Sequence, residues 1–202
     1  MIGCIDYWGT ESLRSPDAER HLRAVTFVEQ PTLEKSKALL NYWSALPRPD
    51  GSGLPLRTSM RPADLKSVLN NIVLVEVIHA EQDFRTRLTG QNISKALQNS
   101  SWYRTSVKNG TDEELRRWYY IYCLVTEIAV PVIVHGAFSD ITGLSGRFET
   151  ILLPFGSDVD TADDTDTAHA SGGRVAYLLT HTEGLSPSNT LERQLGPLPQ
   201  RV

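Results

Sequence analysis

Residues 72–89 read IVLVEVIHAEQDFRTRLT, and this stretch limits the fold more than any other. Its first eight residues are rich in β-branched side chains and almost continuously apolar, the pattern of a strand covered on both faces. A second strand, ending at Gly90, follows after "AEQD". Parallel neighbours need a crossover of about a dozen residues or more, so these two strands pair as an antiparallel hairpin. If AEQD closes a two- or four-residue loop, positions summing to 163 face each other, which sets Glu76 opposite Arg87 and Ile78 opposite Arg85. A cross-strand pair of opposite charges contributes roughly 0.2–1 kcal/mol and helps fix the register. Alternation then collects Val73, Val75, Val77, Phe84, Thr86 and Leu88 on the other face, which is expected to meet helices. On this reading Arg85 and Arg87 brace the sheet rather than grip an anion. They lie on the face away from those helices, under an N-terminal helix or a partner subunit.

The rest of the chain supplies the layers. Residues 1–30 show no clear period and read as an extension open to disorder. "TLEKSKALLNYWSAL" sets Leu39, Tyr42, Trp43 and Leu46 at helical spacing, and Pro47 ends that helix. "RPADLKSVLNN" reads as a short helix with Pro62 in its first turn. Gly90 marks a sharp bend, and a weak helix, "NISKALQ", follows it. Thr111 and Glu114 form a capping box for a long helix over 112–129. Its apolar stripe includes Leu115, Trp118, Tyr119, Tyr122 and Val125, and Glu113 can pair with Arg117 on the exposed side. Three strands follow, "VIVHGAFS", "RFETILLPF" and "RVAYLLTH", the last two separated by an acidic loop over 156–173. A tail over 184–202 is rich in Pro, Gly and Ser. Two strands, a helical crossing and three more strands argue for an α+β antiparallel sheet. Strict strand–helix alternation, which a doubly wound sheet requires, is absent.

Composition removes several classes of function. The chain of 202 residues carries a formal charge of −4, which becomes +1 without the five aspartates of "DVDTADDTD". Its basic residues are scattered, so it has no electrostatic footprint for nucleic acid. No apolar run is long enough for a membrane span. The N-terminus lacks the basic and apolar regions of a secretory signal, which points to a cytoplasmic protein. Cys4 and Cys123 are too few for a disulfide framework or a zinc site.

The individual motifs are mostly structural. An EF-hand loop starting at Asp158 would need a glycine at its sixth position and a glutamate at its twelfth. Asp163 and His169 stand there instead, so a solvated hairpin loop is the better reading. The five histidines never fall at metal-ligand spacing. No nucleophile elbow, P-loop or dinucleotide fingerprint is present, and no motif identifies a cofactor.

Taken in order, "LLNYWSAL", "LPLRTSMRPADLKSVLNNIVLVEV", "DFRTRLTG", a long helix ending in "VPVIV" and "RFETILLPF" resemble a PAS-like family of short bacterial proteins of about this length. The resemblance covers roughly residues 38–183. Where the family has another glycine-containing turn, this chain has "NSSWYRTS", around Trp102. The resemblance implies a five-stranded antiparallel sheet with helices over one face and the N-terminal helix outside the core, the domain running over 31–183. It also implies a non-catalytic sensory or protein-interaction role exercised through a partner protein.

A cavity between sheet and long helix would be lined by Val75, Thr86, Leu88, Trp118 and Tyr122, with His135 as a further candidate. Such a site suits an apolar or aromatic small molecule better than a phosphate. Two alternatives stay open: an enzyme using His135 and Tyr122 as acid–base groups, or a ligand-free structural subunit. The apolar face of the helix over 32–46 also needs cover, from its own sheet or a neighbour's, and a homodimer is the expected assembly.

Overall fold

The structure, a computed structural model, describes residues 13–49, 53–96, 107–108, 113–139, 145–157 and 174–185. The acidic run, the segment around Trp102, the Thr111 cap and the C-terminal tail lie outside the described residues. In chain order the main elements are α1 (Pro16–Leu22), β1 (Thr26–Val28), α2 (Glu34–Ala45), β2 (Ile72–Ile78) and β3 (Asp83–Thr89). Then come α3 (Gln91–Ala96), α4 (Glu113–Ile128), β4 (Val132–Ser139), β5 (Ser145–Gly156) and β6 (Val175–Leu185).

The strands form one antiparallel sheet in the order β1-β4-β5-β6-β2-β3. The α+β class is as expected, but the sheet has six strands rather than five. The sixth is β1, which pairs with β4 through Phe27 opposite Val134. Three residues are too few to display an alternation, so this edge strand is hidden in the sequence. Part of the supposed extension is also folded as α1. Ser15 caps it by accepting from the Ala18 amide at 3.1 Å, and Pro16 opens its first turn. Ala18 and His21 are buried, and the His21 ring stacks on Tyr120 of α4. Glu113 does not depend on Arg117 for a partner, because Arg20 of α1 reaches it at 2.6 Å. The segment 61–71 folds as two short 3-10 turns, Pro62–Leu65 and Leu69–Asn71, instead of one helix.

The β2–β3 hairpin corrects the expected register. Its loop is His79–Gln82, starting one residue early, with Gln82 in the left-handed region at φ 51°. Ile78 therefore faces Asp83 and Glu76 faces Arg85. Moving both sides of the loop by one residue leaves every side chain on its expected face. A second irregularity does not. Leu74 faces Leu88 while Val75 faces Thr86, so Arg87 is the extra residue of a bulge. Alternation resets there, and Leu88, expected beside Thr86 on the apolar face, is 46% exposed. Arg87 still forms an ion pair with Glu76, diagonally across the hairpin.

Helices cover both faces. On the inner face α4 packs against Phe84 of β3 and Phe148 of β5 through its rings. On the outer face lies α2, packed on β5 of its own chain, with Leu39 and Trp43 buried. Trp43 donates its indole N–H to the Pro154 carbonyl at 2.7 Å. That carbonyl lies two residues beyond Leu152, where the pairing with β4 ends at Val132. Arg48 closes the C-terminal end of α2 by donating to the carbonyls of Ser44, Leu46 and Gly53. Its guanidinium also lies over the Trp43 ring, 4.7 Å from the centroid.

Candidate functional site

Two clusters stand back to back across the sheet. The inner one is aromatic. Trp118 and Tyr122, one turn apart on α4, have ring centroids 5.9 Å apart. Phe84 meets Tyr122 edge-on at 5.3 Å, and Trp118 meets Phe148 at 6.1 Å. Phe148 can lie where it does because Gly136 faces it from β4, and a Cβ at Gly136 would stand 2.4 Å from the ring. Val75 and Thr86, directly opposite each other, are on the same face as Phe84. Val75 is buried and Thr86 half-buried.

Within this cluster the polar groups are sparse. Burial pushes the Tyr122 phenol up from its ordinary value. The neighbouring Cys123 thiol is pushed up by burial to about 12, so it is a neutral, inert packing residue at neutral pH. Four of the expected pocket residues, Val75, Thr86, Trp118 and Tyr122, are thus on one face. Leu88 leaves the set because of the bulge.

His135 leaves it too. It faces Glu149 across the β4–β5 ladder, on the outer side of the sheet. There His135 Nε2 lies 2.8 Å from Glu149 Oε2, and a carboxylate can only accept, so this nitrogen carries the proton. Tyr122 is on the opposite side of the sheet. The two residues cannot serve one substrate as an acid–base pair.

The outer cluster is built around Glu149, which is completely buried. Its carboxylate accepts from the Thr32 amide at 2.7 Å and the Leu33 amide at 3.2 Å, the backbone donors that open α2. The buried Ser36 hydroxyl faces the same carboxylate. Burial alone would raise the carboxyl's pKa. The donors from His135, Thr32, Ser36 and Leu33 outweigh it and hold the group at about 2. Beside it, Lys35 of α2 donates to Glu183 of β6 at 2.6 Å. His181, also completely buried, lies opposite Ile72 and Ile151 on this same face.

Sequence reasoning singled out neither Glu149 nor His181. A glutamate inside "RFETILLPF" and a histidine inside "YLLTH" stand within apolar runs, and that placement was the available signal. A charged residue surrounded by strand-forming apolar residues has to find partners once buried. Among the described residues no group of His, Cys, Asp and Glu is arranged to hold a metal ion.

The chain thus carries an antiparallel sheet with an aromatic layer beneath one long helix. The chain belongs to the PAS domain family, whose model matches residues 32–166. No curated protein matches it. Among solved structures it is similar to an RNA-binding light-oxygen-voltage receptor, with 14% identity and a TM-score of 0.40. That match covers 74% of this chain and 38% of the receptor, so the chain spans well under half of that protein's length. It is also similar to the Rhodobacter sphaeroides LOV protein, with 13% identity and a TM-score of 0.38, over 80% of this chain and 72% of that one. Among the described residues no helix is long and apolar enough to cross a membrane.

Proposed function

We propose that this PAS domain is a non-catalytic, cytoplasmic sensory or interaction module that holds a small apolar or aromatic ligand between the inner sheet face and α4. It passes the resulting change to a partner protein, and homodimerisation is the assembly in which it would do so. The observation that carries this reading is the aromatic layer itself. Trp118, Tyr122, Phe84 and Phe148 meet ring to ring, and a flat apolar molecule entering the layer would take over some of those contacts. Thr86 and the Tyr122 hydroxyl supply polar groups that would orient it. The Arg87 guanidinium is held by Glu76 on the other side of the hairpin and does not join this layer, which disfavours a phosphate.

The second reading is a filled core without a ligand, and the ring-to-ring contacts favour it. Native mass spectrometry of the purified full chain separates the two, because it reports bound small molecules and stoichiometry together. A ligand domain shows a discrete small-molecule adduct that is lost in Trp118→Ala. A filled core shows no adduct, and Trp118→Ala simply costs about 3–5 kcal/mol of stability. A monomeric mass at high concentration would remove the homodimer.

A further inference from the structure

His181 is the least settled polar side chain of the outer face. It has no exposed surface, and neither ring nitrogen meets a partner at hydrogen-bond geometry. Every element around it contributes a group that stops short. From β6 itself, Glu183 approaches His181 Nε2 at 3.8 Å, but its other oxygen is held by Lys35 of α2 at 2.6 Å. From β5, Glu149 lies on the same face but is already occupied by His135 and the α2 amides. From the turn before β2, the Asn71 backbone approaches the ring, while the Asn71 side chain donates to the Thr182 carbonyl at 2.9 Å. From α2 comes the Lys35 charge. His135 of β4 faces Glu149 rather than His181.

Both carboxylates that could stabilise an imidazolium here are therefore engaged in holding α2. Lys35–Glu183 ties the first turn of α2 to β6, and Glu149 ties the amides just before it to β5. A proton on His181 would be a buried cation whose nearest counter-charge belongs to this attachment. We propose that His181 is a proton-operated release for α2: when the ring takes a proton from solvent, the arrangement in which α2 lifts off the outer sheet face gains over the docked one.

The sign follows from burial. Burial holds the docked His181 below its ordinary value of 6.5, against smaller raising effects from Glu183 and Asn71. The lifted arrangement, with a solvated ring, titrates near the free value. The docked arrangement is fully favoured above about 6.5 and loses ground as pH falls from there.

Hydrogen exchange of the full chain, read by mass spectrometry and corrected for intrinsic rates, tests this between pH 7.5 and 5.5. The opening constant of α2 amides should rise over that interval, by up to about tenfold. The rise should vanish in His181→Leu and persist in His21→Gln, which removes the other buried histidine among the described residues. An α2 opening constant that is flat with pH overturns the proposal. So does a rise that survives His181→Leu, or one shared equally by the whole sheet. Should His181→Leu fail to fold, an NMR titration of the His181 ring in the unmodified chain decides. A pKa clearly below 6.5 supports the release, and one at or above 6.5 overturns it.

Discussion

Replacing Glu149 with glutamine removes one charge and leaves the shape of the outer cluster almost unchanged. Its effect can be worked from the donors around the carboxylate. A carboxyl with an ordinary pKa of 4.5 is held at about 2 by His135, the Thr32 and Leu33 amides and Ser36. That difference is a factor of about 300 in proton affinity, or about 3 kcal/mol at 1.4 kcal/mol per tenfold. Glutamine keeps one acceptor oxygen and turns an NH₂ group toward donors, so the variant should lose about 2–3 kcal/mol at pH 7.

The loss should depend on pH in a definite way. A carboxyl whose folded pKa is depressed stabilises the protein fully above the unfolded value and loses that contribution as pH falls through the folded value. Here the window runs from about pH 5 down to about pH 2, and roughly 2 of the 3 kcal/mol should be gone by pH 3. Urea denaturation followed by tryptophan fluorescence at pH 7, 5 and 3 measures the gap between wild type and Glu149→Gln. A gap below about 0.5 kcal/mol at pH 7 would refute the argument, as would a gap that stays constant to pH 3. This window opens at about pH 5, below the value of 6.5 from which the His181 effect begins, so the histidine effect is the first to appear as pH falls.

Three further outcomes are expected. Gly90→Ala should lower the urea midpoint by the equivalent of about 2 kcal/mol or more, because a Cβ there would stand 2.3 Å from the Leu69 carbonyl oxygen. Trp43→Phe should cost about 1–3 kcal/mol in the same assay, since the Pro154 carbonyl loses its indole donor. Arg87→Ala should cost only about 1 kcal/mol, its guanidinium being half exposed. Any ligand adduct seen by native mass spectrometry should survive this change.

Much of the fold was legible because the signals were long. α4 carries four turns of stripe, and its observed span, Glu113–Ile128, falls within the expected 112–129. β2 to β6 each have several β-branched or apolar residues bounded by turn residues. What escaped was short or locally irregular. α1 has seven residues and β1 three, fewer than either period needs to show itself. Gly90 was noticed, but for a different reason: its φ is not positive, and the position needs glycine because the chain passes against the backbone of Leu69 and Asn70.

The site was legible by face only where one face was distinguishable. Val132, Ile133 and Val134 are all buried, so β4 is covered on both faces. A run of this kind has no alternation, so nothing in "VIVHGAF" says which way His135 points. In the structure it points outward, to Glu149, and the acid–base pair imagined with Tyr122 is split across the sheet.

The two arginines illustrate the same point through parity. Starting the hairpin loop at His79 changes the facing sum by two, from 163 to 161, and keeps all side chains on their faces. The bulge at Arg87 changes it by one and inverts everything beyond. Up to Thr86 the apolar face is as expected, and Leu88 alone is lost from it. The bulge also explains why Arg87, which has no direct partner across the ladder, can still lean over to Glu76, whose buried Oε2 it meets. Arg85 takes the position directly opposite that glutamate. Arg87 thus supplies the ion pair to this carboxylate and Arg85 its backbone partner, on the face away from the aromatic layer, at the edge strand. That arrangement neutralises a half-buried acid and pins the hairpin's register. It keeps the Arg87 guanidinium off the inner face, as an apolar ligand or a close-packed core there requires.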